Sequence, residues 1–266
     1  MIFSDAVWRQ PAMQLARELR APGVCVEHID MPTRYFNRTV AWGAPGYFDR
    51  IRHRIPAVRM RLQTVLADQP QQHCTSQRPS ALQQPAAAAE DGTGAAASGW
   101  LALFDADIVA LRNVSARFTR MFASAPQAQL LVQQEWPCNS APHTLCVNGG
   151  LWAVRQSVRG LVLLERAEWL LERLRIPDQD ALQIVATEAR SAVQFLDRER
   201  YANGYTALRA SQPWSAHGAH LVHVNWLTTV ECKLLWLAHF RATRFHLPSK
   251  HDGSAGAVRT RCGVSL

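Results

Sequence analysis

Asp105 and Asp107 stand two residues apart, at the end of the apolar run "LALF" and just before a second apolar run, "IVAL". In an extended turn, side chains two positions apart point the same way, so both carboxylates can face one hard cation. A magnesium or manganese ion held there would gather the oxygens of a diphosphate and neutralise charge on a leaving phosphate. The alternative for a bare Asp-x-Asp is a solvated turn, where aspartate is common for its local hydrogen bonds. The apolar runs on both sides count against that alternative.

A metal pair needs a framework to aim it. The chain opens as strand, helix, strand: Ile2-Phe3, then "PAMQLARELR", then "VCVEHI" after the Pro22-Gly23 break. Ile51, Ile55, Val58, Leu62 and Val65 recur at steps of four and three, which makes one helical stripe, with Pro56 placed to split or kink it. After the acidic turn come a helix around "ARFTRMF", a strand at "QLLVQQ" and an apolar piece at "GGLWAV". Helices follow from about Ser157 to Arg173 and from Asp178, "AVQFL" and "HLVHV" read as late strands, and "TTVECKLLWLAHF" holds the last helix. Strands alternating with helices predict an α/β layered fold with a mixed, largely parallel central sheet flanked by helices. In such open sheets, ligands collect at the carboxyl ends of the strands, where Asp105 and Asp107 stand.

Residues 69–99 collapse into Gln, Pro, Ala, Ser and Gly, which predicts a disordered insertion inside a single domain spanning 1–266. Residues 249–266 read as a flexible tail. The 266 residues are 48% hydrophobic with nine tryptophans, enough for a sizeable packed core. The formal charge is +8, yet the basic residues are nearly all arginine, since Lys233 and Lys250 are the only lysines. With the alanine-rich tract, that reads as a coding bias towards Arg and Ala, and no nucleic-acid-binding motif accompanies the charge.

The six cysteines lack a C-x-x-C pair, so no zinc site is signalled and the redox compartment stays open. Asn37-Arg38-Thr39 and Asn113-Val114-Ser115 fit the N-glycosylation pattern. No stretch reaches the roughly 20 apolar residues that span a bilayer. "MIFSDAVWRQ" carries an acid where a signal peptide would be apolar.

"LFDADIVALRNV" resembles the Asp-x-Asp strand of nucleotide-diphospho-sugar transferases, specifically the group called glycosyltransferase family 77. Further segments occur in that family's order. "VNGGLWAVRQS" resembles its Asn-x-Gly-Phe/Leu-Trp segment, with Glu135 as the acid that precedes it, and "IPDQDALQIV" its Asp-Gln helix start. "FLDRERYANGYTAL" is similar to its Leu-Asp with a later Asn-Gly, and "LVHVNWLTTVECKLLWL" to its His-x-Asn-Trp with a downstream lysine. The resemblance covers roughly Phe48 to Leu237. Gly149, Gln183 and Thr229 depart from the usual Thr, Asn and Gly.

The resemblance implies the Rossmann-like GT-A fold and a metal-dependent, retaining transfer from a UDP-sugar of the galactose, xylose or arabinose class. The acceptor would be a glycan or glycoprotein, and the setting the Golgi lumen. It makes Asp107 a metal ligand, Asp105 a ligand of the metal or the donor ribose, and His223 the third ligand, with Mn²⁺ or Mg²⁺ as the ion. It places Lys233 on the diphosphate, with Arg54 as a further residue that could approach it, and Asn148 with Gly149 at the donor sugar. Asp178 and Gln179 fall on the sugar hydroxyls or beside the anomeric carbon, Asp178 being the nearest candidate for a nucleophile. Two rival classes remain open. One is a non-catalytic relative that binds nucleotide sugars. The other is a haloacid-dehalogenase-like phosphatase, whose first motif also ends a strand in Asp-x-Asp, although its lysine should precede its later acids.

Overall fold

A computed structural model describes residues 1–4, 7–21, 24–30, 47–68, 99–111, 115–136, 138, 145–209, 219–227, 229–243 and 262. The insertion expected at 69–99, but for Gly99, lies outside the described residues. So do the tail expected at 249–266, but for Cys262, and the glycosylation patterns at Asn37 and, save Ser115, at Asn113.

In chain order the elements are β1 (Ile2–Ser4), α1 (Arg9–Leu19), β2 (His28–Asp30), α2 (Tyr47–Ile51), α3 (Arg54–Ala67), β3 (Trp100–Asp105) and β4 (Ile108–Ala110). Then follow α4 (Ser115–Ala123), β5 (Leu130–Glu135), β6 (Cys146–Arg155), α5 (Val158–Leu174), α6 (Asp178–Glu188) and β7 (Val193–Phe195). The chain closes with β8 (Tyr201–Asn203), α7 (Gly204–Arg209), β9 (Leu221–His223) and α8 (Val230–Thr243).

Six strands form the central sheet in the order β2-β1-β3-β6-β5-β7. β1 runs parallel to β2 and β3, and β5 parallel to β7, while β6 is antiparallel to both its neighbours. The period-two alternation of a buried strand sends successive side chains to opposite layers. Leu103, Trp152 and Val154 pack under α3, α5 and α6, against residues such as Ile55, Leu164 and Leu182. Phe104, Leu151 and Ala153 face α1 and α4, against Leu15 and Phe118. Each fully buried side chain of this size stabilises the fold by roughly 1.5–3 kcal/mol, so the sheet is a stiff platform for whatever stands at its strand ends.

A second, three-stranded sheet, β4-β9-β8, was not expected from the sequence. It packs Val109 and Val222 against Trp236, Leu237 and Phe240 of α8. The helical stripe at 51–65 is broken at Arg52–His53, not at Pro56. Pro56 is the third residue of α3, where its missing N–H would have had no intrahelical partner. α5 starts at the expected place because Ser157 caps it, its Oγ accepting from the Gly160 N–H at 3.0 Å.

Disulfides join Cys138 to Cys146 and Cys232 to Cys262, and Cys25 is also disulfide-bonded. Among the described residues no helix is long and apolar enough to cross a membrane.

Candidate metal centre

Asp105 is the last residue of β3, and the two-residue turn Ala106-Asp107 leads into β4. β4 pairs antiparallel with β9, with Ile108 opposite His223, and the Val224 N–H donates to the Asp107 carbonyl at 3.0 Å. The small second sheet therefore delivers an imidazole from over a hundred residues away to the acid pair. His223 Nε2 lies 3.1 Å from Asp107 Oδ1 and 3.6 Å from Asp105 Oδ2. One ligand atom from each of Asp105, Asp107 and His223 lies within 4.8 Å of the others. Two carboxylate oxygens and an imidazole nitrogen suit manganese and leave coordination positions for oxygens of a bound substrate.

The ring of His223 lies directly over β6. A Cβ built on Gly150 would sit 2.0 Å from His223 Cε1, well inside contact distance, so glycine is required for the imidazole to occupy this place. Replacing Gly150 by alanine must push the ring off the acid pair. Manganese affinity measured by isothermal titration is expected to fall at least ~10-fold, as for other changes that disturb how a ligand histidine is held. Wild-type affinity in Gly150→Ala would show that the ring has room to spare.

Electrostatics keep the buried acid ready for a cation. Burial pushes the Asp107 carboxyl up, but Lys233 and His223 together outweigh it and hold the group well below the usual carboxylate range. Lys233 Nζ lies 2.6 Å from Asp107 Oδ2. On the other side, Arg54 ties three pieces of the rim together. Its guanidinium reaches Asp105 Oδ1 at 2.5 Å, the Gly149 carbonyl at 2.8 Å and Asp178 Oδ2 at 3.1 Å. Burial is the main reason the Asp178 carboxyl is pushed up to about 6, with Arg54 pulling it down and Asp105 pushing it further up.

The structure thus brings Asp105, Asp107, His223 and Lys233 into direct contact. Gly149 and Gln179 stand on the rim, the Gly149 N–H donating to Gln179 Oε1 at 3.1 Å. Asp178, expected beside the anomeric carbon, is 2% exposed and turned onto Arg54, with its Oδ1 accepting from the Gln179 N–H. Asn148, expected at the donor sugar, is 1% exposed. Its Oδ1 lies 3.0 Å from His223 Nδ1, and its Nδ2 donates to Glu135.

Arg54, weighed from the sequence as a residue that could approach the diphosphate, is held on Asp105 and Asp178, and Gln133 escaped the sequence reasoning. For Arg54 a faint signal existed, since it follows Ile51 by three residues and precedes Val58 by four, on the edge of the buried stripe. Gln133 carried none.

Residues 101–237 match the family model described as nucleotide-diphospho-sugar transferase, just over half of the chain. Among solved structures, one similar fold is a glycosyltransferase involved in glycosylation of the major capsid of the virus PBCV-1. It is 11% identical, with a TM-score of 0.52 over 91% of this chain and 98% of that one. The galactosyltransferase LgtC, solved with donor and acceptor sugar analogs, is 11% identical over 96% and 98%, with a TM-score of 0.47. The glycosyltransferase GlyE of Streptococcus pneumoniae is 12% identical over 94% and 64%, with a TM-score of 0.48. At 11% identity, the similarity to the capsid-glycosylating enzyme is one of fold alone. No curated protein matches the sequence.

Proposed function

Since the chain belongs to the nucleotide-diphospho-sugar transferase family, we propose that it moves a sugar from UDP to a hydroxyl of a glycan or glycoprotein. The observation that carries this reading is the convergence of Asp105, Asp107 and His223 at the carboxyl end of β3. The donor set fits Mn²⁺ or Mg²⁺, and a bound ion would neutralise charge on the departing diphosphate. In the transfer, the bond between the anomeric carbon and the phosphate oxygen breaks and a bond to the acceptor oxygen forms. The acceptor proton passes to the leaving phosphate on the same face, which retains configuration. Galactose, xylose or arabinose as the sugar, and membership of the family 77 group, rest on the motif order described above. The whole chain, 1–266, acts as one domain.

The protein's own groups divide the remaining work. Asp105 and Asp107 would hold the cation, and Asp105 would serve the same ion or the donor ribose. Gly149, with only hydrogen for a side chain, lets the backbone approach the sugar, and Gln179 flanks it. Asp178, through Arg54, fixes the rim on which that sugar rests. Cys138–Cys146, Cys232–Cys262 and the bonded Cys25 support an oxidising compartment, in keeping with the Golgi lumen.

Lys233 supplies a point charge beside the metal, which suits the diphosphate. Lys233→Met is expected to weaken UDP binding in the presence of manganese by about 10–100-fold, the worth of a charged hydrogen bond. Calorimetric titration of UDP into the variant measures this.

The reading is tested by incubating the protein with manganese and a panel of nucleotide sugars while following UDP release. Turnover of one nucleotide sugar supports it. Hydrolysis of simple phosphate esters instead points to a phosphatase, and tight UDP binding without turnover points to a non-catalytic relative.

A further inference from the structure

Glu135, at the end of β5, gathers an unusual set of partners. Its Oε1 accepts from Asn203 Nδ2 at 2.9 Å and from Trp226 Nε1 at 2.7 Å. Its Oε2 accepts from Asn148 Nδ2 and, at 3.4 Å, from Asn225 Nδ2. The four donors are all neutral and come from β6, β8 and the segment after β9. An ionised carboxylate can only accept, so each amide facing it must present its NH₂ end. That fixes Asn148. Its oxygen is turned the other way, where it accepts from the Gly150 N–H at 2.9 Å and faces His223 Nδ1.

Gln133 is fixed by the same logic. Its Nε2 donates to the Tyr201 carbonyl at 2.9 Å, which leaves Oε1 facing His223 Nδ1 at 3.1 Å. Two amide oxygens therefore meet at Nδ1, and neither can rotate to offer a proton. The ring must carry a proton at Nδ1, so Nε2, which faces Asp105 and Asp107, is the nitrogen left to bind an ion. A ligand histidine needs this arrangement, because the nitrogen that binds the ion must be unprotonated.

We infer that Glu135 is a positioning residue for metal capture: acting through Asn148, it sets the tautomer of His223. The inference rests on the metal reading of the Asp105, Asp107 and His223 cluster, and its test is separable from it.

Glu135→Gln changes one oxygen to an NH₂ group of nearly the same size. The Trp226 N–H can only donate, so the retained oxygen stays on its side and the new NH₂ faces Asn148. Asn148 must then turn its oxygen towards residue 135 and its NH₂ towards His223 Nδ1, against the proton there. Manganese binding, followed by electron paramagnetic resonance of the free ion, is expected to weaken about 10–100-fold while urea unfolding stays cooperative. Trp226→Phe removes one donor from Glu135 but leaves its acceptor oxygen on Asn148, and it should keep wild-type manganese affinity.

A second readout does not depend on metal or on the Glu135 and Trp226 variants folding. Long-range nitrogen–proton spectra of the metal-free wild type, with His223 assigned by its loss in His223→Asn, should show Nδ1 protonated. An unprotonated Nδ1 there overturns the inference. So does wild-type manganese affinity in folded Glu135→Gln, or an equal loss in Trp226→Phe, which would mark the cluster as a structural brace only. If the wild type takes up no manganese at all, the metal reading falls and this inference with it. If the wild type binds manganese but transfers no sugar, the transfer reading falls and this inference stands.

Discussion

Asp107→Asn is expected to lower kcat/KM for sugar transfer by about 10³-fold or more, the scale on which removing the main electrostatic support of a charged transition state is felt. Asparagine keeps the shape of the side chain and loses only its charge. In the folded protein that charge faces Nε2 of His223 at 3.1 Å and Lys233 Nζ at 2.6 Å. Its carboxyl is held well below the usual carboxylate range, despite burial working against it. The variant should still fold, since the Asp107 carbonyl goes on accepting from Val224 and the β4–β9 pairing does not involve the carboxylate. Parallel measurement of UDP release and of manganese affinity checks the claim. Both must fall together. A variant that binds manganese normally and has lost turnover would shift the ion's main ligand to Asp105. A variant that keeps turnover would remove the cation from the mechanism.

How much of this centre was legible in the sequence depends on how local each part is. Asp105 and Asp107 announced themselves because strand, spacing and turn lie within a dozen residues. His223 was reached only through the resemblance, because the Ile108–His223 pairing joins two strands of three residues each, too short to show alternation. The same shortness hid the whole second sheet. β6 was seen only as "GGLWAV", although it runs from Cys146 to Arg155 with every interior residue buried. Its Gly149-Gly150 pair reads as a turn in sequence, and only the ring of His223 against Gly150 shows why glycine belongs inside a central strand. Arg54 was reached only as an arginine that could approach the diphosphate, and its contacts with Asp105 and Asp178 were not foreseen. Nothing in a single sequence separates an arginine that clamps the buried Asp178 and the half-buried Asp105 from one that lies in solvent. Asn148, expected at the donor sugar, has its amide taken up by His223 and Glu135.

Arg54→Met should cost the fold about 3–5 kcal/mol at neutral pH, the usual result of stranding one member of a buried ion pair. Arg54 is 7% exposed and Asp178 2%, so water cannot replace the lost partner. The pH dependence separates this cause from lost packing. A carboxyl whose folded value is raised, here to about 6 against an ordinary 3.8, binds more protons folded than unfolded between those values. Stability therefore declines as pH rises through that window, and the contribution is recovered on the acid side. Without the guanidinium, the folded value rises further and the window widens on the alkaline side. The loss in Arg54→Met should accordingly be small at pH 5 and large at pH 8, read from urea unfolding at both. Asp178→Asn in the same background removes the buried charge and should restore much of the stability at pH 8. Equal losses at the two pH values, or no recovery in the double variant, would assign the effect to the packing of the arginine stem. Arg54 would then have no part in holding Asp105 and Asp178 on the rim of the metal centre.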